Sequence, residues 1–199
     1  MFGLGTPELI VILGIAFLIF GGLQSVLFYT EVTWLPTISQ SIGFSKAEAG
    51  LMSGIYNLAA IPMSSIITTL LSRQTKESRR NIMLLISLIT LVGLALMAIT
   101  PKNFFAWTII HIVLSVSNAS LFPYMMLSFT MKTSNSQATA RLSGMVQTGG
   151  YLIAAFGPVL LGYSFPIFGS WLPLILSLAT VTLVMMWTIV LIEKEDIII

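Results

Sequence analysis

Residues 104–130 read FFAWTIIHIVLSVSNASLFPYMMLSFT, a stretch without one Asp, Glu, Lys or Arg. As an α-helix it is about 40 Å long, enough to cross the roughly 30 Å hydrocarbon core of a bilayer with some tilt. In hydrocarbon the backbone groups must bond within the segment or within a closed barrel. A barrel strand would alternate polar and apolar residues over about ten positions, and this stretch does not. It is read as a membrane-spanning helix.

Five further segments of the same kind flank it. The first runs from Leu9 to Leu35 and is expected to stop at Pro36; the second covers Ala47–Leu71, and the third Ile82–Ile99. The fifth spans Ala138–Tyr163 and the sixth Trp171–Ile192. The whole chain has 199 residues, 56% hydrophobic and 8% charged, with a mean hydropathy of +0.98. A soluble domain carries roughly a quarter charged residues, so 8% could not clothe a soluble surface. The expected fold is an all-α, six-helix membrane bundle forming one domain over residues 1–199. A formal net charge of +2 gives no reason to expect a nucleic-acid partner. With no Cys and one His, neither a metal site nor a cofactor is expected. The opening lacks a basic stretch and a small-residue cleavage site, so the first helix is read as uncleaved.

Loop charge orients the bundle. Arg73, Lys76, Arg79 and Arg80 follow the second span, Lys132 and Arg141 flank the turn after the fourth, and Lys194 ends the sixth; only Lys46 and Lys102 lie on the other side. Seven basic residues against two place both termini in the cytoplasm. The tail acids Glu193, Glu195 and Asp196 weigh little in that rule. Pro62, Pro123 and Pro158 fall inside spans, where each removes a backbone donor and favours a kink. Gly50 and Gly54 form a GxxxG step, and Gly149, Gly150, Ala154 and Ala155 give the fifth span a small-residue surface; both are read as helix-packing faces.

Polar residues at membrane depth tend to face the bundle interior or a wet cavity. In the fourth span His111, Ser115, Asn118 and Phe122 share one helical face, with Asn118 near the middle and His111 about 10 Å from the outer end. Gln24, Phe28 and Glu31 form a similar stripe in the first span, with Tyr29 beside it. The second contributes Ser53, Tyr56 and Asn57, and the fifth Gln147 and Tyr151. The third and sixth spans are nearly all apolar and are expected to face lipid. An imidazole such as His111 titrates near neutral pH and can relay protons. Glu31, separated from Pro36 by four residues, is placed close enough to the interface to reach water, and a role in proton coupling is open to it. Arg141 either attracts an anion to a cytoplasmic vestibule or anchors the helix by the positive-inside rule. No Walker-type phosphate loop, HExxH or paired membrane Asp supports ATP-driven transport or intramembrane proteolysis.

From Gly22 onward the chain resembles the C-terminal six-helix half of a major facilitator superfamily transporter, with closest likeness to the cyanate and nitroimidazole (CynX/NimT) branch. The likeness is carried by GLQSVLFYTEVTWLP, GFSKAEAGLMSGIYNLAAIP, SNASLFP and RLSGMVQTGGYLIAAFGPVLLGYSFPIFGSW, in that order. The loop Ser72–Arg80 stands where the superfamily has a charged loop, but lacks its usual Gly-xxx-Asp-Arg pattern. The opening MFGLGTPELIVILGIAFLIFG instead resembles the start of the twin-arginine translocase A subunit, with Phe20–Gly21 at that family's hinge. The following LQSVLFYTEVTWLP has no Lys or Arg, unlike the amphipathic helix of that family, which also places its N-terminus outside.

The superfamily likeness implies that the first and fourth helices of the half line a solute cavity, helped by the second and fifth. The candidate cavity residues are then Gln24, Phe28, Tyr29, Asn57, His111, Ser115, Asn118, Gln147 and Tyr151, with Glu31 and His111 as candidates for proton coupling. The expected activity is secondary transport of a small polar or anionic organic solute by alternating access. The expected partners are the lipid bilayer, the solute, and either a second copy of the chain or a separate N-terminal half. A non-transporting assembly protein, a translocase-like component and an inactive transporter fragment stand as alternatives. Single cysteines placed in this Cys-free chain separate the orientations: Lys46→Cys is expected to react with an impermeant maleimide added outside, and Gly3→Cys only after the membrane is opened. The reverse pattern would invert the topology.

Overall fold

The structure, a computed structural model, describes residues 6–194; Gly3, Glu195 and Asp196 lie outside them. Among the described residues the elements are α1 (Thr6–Ser41), α2 (Lys46–Ala60), α3 (Met63–Ser72), α4 (Lys76–Ile99), α5 (Phe104–Lys132), α6 (Ser136–Gly162), α7 (Ser164–Phe168) and α8 (Leu172–Lys194). They make six passes long and apolar enough to cross a membrane, with α2–α3 forming one pass and α6–α7 another. Side-chain caps start four of the helices. Ser45 and Glu48 form a reciprocal capping box at α2, while Thr75, Asn103 and Asn135 accept from the first turns of α4, α5 and α6.

The passes alternate in direction, which gathers the loops at two ends. At one end Lys102 donates to the Gly43 carbonyl, and the Trp171 indole donates to Ser41 Oγ at 2.9 Å. Gly43 turns the chain there with φ +102°, a conformation that L side chains rarely adopt. At the other, basic end, the Arg79 guanidinium meets the Glu193 carboxylate, Nη2–Oε2 2.8 Å and Nε–Oε1 3.3 Å, while Lys132 Nζ stands 4.0 Å from Oε2. This pair lies 114 residues apart in sequence and joins α4 to α8, with α5 alongside.

α1 is the central helix: it packs against α6, α8, α2 and α5. Two edge-to-face pairs, Phe17–Phe129 with centroids 5.0 Å apart and Phe20–Tyr124 at 5.6 Å, fix it to α5. Against α6 the approach is closer. A Cβ built on Gly150 would sit 3.1 Å from the carbonyl carbon of Gly21 and from the nitrogen of Gly22, so backbone meets backbone at this crossing. Gly150 and Ala154 are buried on this face, in keeping with the small-residue reading of the fifth span.

Two expectations need correction, that α1 ends at Pro36 and that Gly50 and Gly54 pack in the bundle, and two others gain detail. α1 does not stop at Pro36 but runs on to Ser41. Pro36 withdraws a single donor, that of the Val32 carbonyl, and the next turn is reinforced by side chains: Ser39 Oγ donates to the Leu35 carbonyl at 2.9 Å and Gln40 Nε2 to the Pro36 carbonyl at 3.2 Å. Pro62 does interrupt its pass, dividing it into α2 and α3, whereas Pro123 and Pro158 lie inside unbroken helices. Gly50 and Gly54 have no atom within 4 Å of a built Cβ, so their step faces away from the bundle. α4 and α8 are not merely lipid-facing: each turns outward a face such as Leu85, Leu88 and Val92 or Leu176, Leu183 and Trp187, and buries Ser87 and Thr90 or Thr182 and Thr188. Those hydroxyls bond to carbonyls of their own helices, which lets polar residues sit in an apolar contact.

These contacts separate two glycines that look alike in sequence. Gly150→Val is expected to destabilise the protein by about 1–3 kcal/mol through overpacking against α1. Gly50→Val should stay within about 0.5 kcal/mol. Thermal unfolding in detergent measures both, and equal effects would contradict the packing described.

Candidate functional site

The polar stripes of three helices converge on one carboxylate. Glu31 of α1 is 2% exposed. Its Oε2 accepts from the Tyr56 hydroxyl of α2 at 2.9 Å and from Asn118 Nδ2 of α5 at 2.7 Å. Asn118 Nδ2 also lies 3.5 Å from the Tyr56 oxygen, closing a triangle. Ser115, one turn before Asn118, donates to the backbone carbonyl of Tyr56 and pins α2 to α5 just beneath it. His111, another turn along, is fully buried, with Nδ1 2.8 Å from the Trp107 carbonyl of its own helix. Glu31 Oε1, Asn118 Oδ1 and His111 Nε2 have no hydrogen-bond partner in the protein.

The placement of Glu31 corrects the sequence expectation that it reaches interfacial water. Because α1 continues through Pro36 to Ser41, Glu31 lies ten residues, or about 15 Å, inside the helix end. Its hydrogen-bonding partners are a phenol and an amide, both neutral. Glu193 is the contrasting case, since Arg79 and Lys132 surround it with positive charge. The latter ion pair is the feature that sequence reading missed, and the charge balance of the basic loop gave no sign of it. A carboxylate at membrane depth is costly unless it is paired or protonated.

Beside the triangle is a cavity of about 310 Å³ between α1, α3, α5 and α6, within the size range of small-molecule pockets. Gln24, Ser25, Ser64 and Asn118 give its wall hydrogen-bonding groups. Phe28, Tyr29, Phe122 and Tyr151 give it aromatic surface, and no Lys, Arg, Asp or Glu lines it. The Tyr29 and Tyr151 rings meet edge to face at 6.5 Å, linking α1 to α6 along one wall. Asn118 belongs to both places, touching Glu31 through Nδ2 and lining the cavity.

The other candidates lie off this cavity. His111 and Asn57 border a much smaller space at Glu31, and Ser115 is buried between α2 and α5. Gln147 donates to Ser143 Oγ one turn earlier in α6, at 2.6 Å, instead of entering the cavity wall. Arg141 is exposed near the start of α6. Ser25 and Ser64 were not expected in the wall: Ser25 sits beside the α1 stripe, and Ser64 lies in the first turn of α3, just past the break at Pro62. Among the described residues no group of three or more His, Cys, Asp and Glu is placed to hold a metal ion.

Residues 13–196 match the Major Facilitator Superfamily. The chain is 36% identical over 163 residues to the uncharacterized transporter YycB of Bacillus subtilis, covering 81% of this chain and 40% of that protein. It is 31% identical over 170 residues to the 2-nitroimidazole transporter of Escherichia coli, covering 84% of this chain and 41% of that protein. The chain thus spans about two fifths of the length of these relatives. The family match takes in Phe20–Gly21, where α1 passes without a break and both residues are buried, so there is no hinge of the translocase kind.

Proposed function

The chain belongs to the Major Facilitator Superfamily and is a multi-pass membrane protein, and from this we propose that it is one six-helix half of a proton-coupled secondary transporter in a bacterial inner membrane. The observation that carries the reading is a carboxylate buried among neutral partners and sharing Asn118 with a solute-sized cavity. Ionised Glu31 has hydrogen bonds but no counter-charge among those partners, so taking up a proton relieves an electrostatic cost. Asn118 senses that change directly, because the amide that donates to the carboxylate also borders the solute. Proton binding and solute binding then bias the same set of helices.

The solute is a small polar organic molecule. Aromatic walls suit a planar body, and Gln24, Ser25, Ser64 and Asn118 offer donors and acceptors to its edge. The relative named for 2-nitroimidazole supports a planar polar solute. Without Lys or Arg in this wall, an anionic solute would need its counter-charge from the other side of the site. A second six-helix unit completes that side, either another copy or a separate N-terminal half. Alternating access follows when the pair rocks about the cavity, moving α1, α2–α3, α5 and α6 relative to the second unit. Both termini lie in the cytoplasm in this arrangement.

The test is uptake of 2-nitroimidazole by membrane vesicles from cells that express the chain, driven by an inward proton gradient. Gln24→Leu and Asn118→Leu are each expected to lower the initial rate at least about tenfold, equivalent to about 1.4 kcal/mol, with membrane insertion unchanged. Normal rates in both variants would remove these residues from the solute path.

A further inference from the structure

Polar surface on α3 does not end at the solute cavity. The helix turns Ile67 and Leu71 into the bundle, where α5 is its main neighbour. Ser64 stands in the cavity wall. Beside it, Ser65, Thr69 and Arg73 follow one another at one-turn spacing on an exposed face. This row is about 12 Å long. With Ile66, Leu70 and Gln74 it lines a groove of about 560 Å³. The groove begins one residue from the cavity wall and finishes at Arg73, which caps the C-terminus of α3 at the basic end of the bundle.

Two features mark this face as wet. The first is the state of its hydroxyls. Thr180, exposed on α8, donates to the Leu176 carbonyl of its own helix at 2.9 Å, and Thr108 of α5 donates likewise to Phe104 at 2.8 Å. Such back-bonding lets a hydroxyl stand in hydrocarbon without an unmet donor. Thr68 and Ser72 of α3 do the same, to the Ser64 and Thr69 carbonyls. Ser65 and Thr69 do not: neither side chain has a hydrogen-bond partner among the described residues. An unmet hydroxyl is expensive in hydrocarbon and is satisfied by water.

The second feature is Arg73. Arg79 spends its guanidinium on the Glu193 carboxylate and the Gln74 carbonyl. Arg73 is exposed, and among the described residues no carboxylate pairs with it; Glu77, the nearest acid in sequence, makes no ion pair with it. A guanidinium in this state belongs in water, with its charge open to an anion.

We infer that this groove is the solute's path between the cavity and the basic end of the bundle, and that Arg73 at its mouth makes the path favour small anions. The Ser65 and Thr69 hydroxyls replace hydrating water along the way, and Ser64 continues the row into the cavity wall. A positive charge at the mouth raises the local concentration of anions and lowers that of cations. It supplies the charge that the cavity wall itself lacks. The inference rests on the transporter reading for calling the groove a solute path; its openness to water and its preference for anions stand apart from that reading. Lipid chains and a second six-helix unit seated on α3 are the competing occupants.

Cysteine substitution tests the inference in a chain that has no cysteine of its own. Ser64→Cys, Ser65→Cys and Thr69→Cys are made singly and treated, in membrane vesicles, with two impermeant thiol reagents: the negatively charged sulfonatoethyl and the positively charged trimethylammonioethyl methanethiosulfonates. Rates are divided by those for free 2-mercaptoethanol, and Ser134→Cys, in the exposed turn after α5, marks the basic side of the membrane. All three variants are expected to react from that side, while Leu88→Cys, on the outward face of α4, stays unmodified. At Thr69→Cys the negative reagent is expected to be favoured, and Arg73→Gln should cut that preference at least about threefold. Every side chain replaced is exposed, so the packing of the bundle is left intact. Ser65→Cys and Thr69→Cys that react only after the membrane is dissolved would mean that lipid or a second unit fills the groove, and would overturn the inference. So would reaction only from the opposite side, a silent Ser64→Cys beside reactive neighbours, or a charge preference unmoved by Arg73→Gln. None of these rates depends on uptake, so failure here is distinct from failure of the uptake test.

Discussion

The arrangement of this bundle turns on a carboxylate buried at membrane depth with neutral partners. Glu31 lies on the central helix, and its two donors, Tyr56 and Asn118, come from α2, which leads into cavity-lining α3, and from α5, which lines the cavity itself. Moving α2 or α5 away would strip the carboxylate of hydrogen bonds in a medium that offers no replacement. The Ser115 bond to the Tyr56 backbone holds α2 to α5 from outside the triangle, and the close Gly150 crossing fixes α1 against α6.

The two buried glutamates divide the work. Glu193 is compensated by Arg79 and Lys132 and ties α4 and α8 together at the basic end. α4 and α8 contribute nothing to the larger cavity and present apolar side chains outward, so they act as a braced outer pair. Glu31 lacks such compensation from its bonding partners and lies next to the cavity through Asn118. A charge that is already neutralised has little to gain from a proton; a charge that is not has much. This asymmetry supports assigning proton coupling to α1 and its neighbours and a structural role to the α4–α8 pair.

Much of the fold was legible because bilayer thickness constrains segment length so strongly. The reading of Phe104–Thr130 differs from α5 by two residues at its end, and the alternation of basic and non-basic loops matches the two ends of the bundle. Direction was harder. Spacing shows that Gly50 and Gly54 share a face, but only packing shows that the face is turned outward. Gln147 has the residue type expected of a cavity, yet Ser143, one turn away, satisfies it first. Pro36 looked like a terminus, but it withdraws only the donor of the Val32 carbonyl, and side-chain bonds from Ser39 and Gln40 reinforce the turn that follows. That single misreading placed Glu31 near water and concealed its burial. The Arg79–Glu193 pair had no local signature at all, being the meeting of two chain segments far apart in sequence.

The measurement closest to the centre of this account is a double-mutant cycle between Glu31 and Asn118 in the detergent-solubilised protein, using Glu31→Gln, Asn118→Ala and the pair, read as unfolding free energies. Interhelical hydrogen bonds in membranes average about 0.6 kcal/mol and reach about 1.7 kcal/mol, and the charged acceptor here should place the coupling toward the upper part of that range. A coupling of about 1 kcal/mol or more, with the double variant less destabilised than the sum of the singles, is the predicted result. Additive effects would mean that the two side chains do not hold one another, and the link between the buried carboxylate and the cavity would be lost.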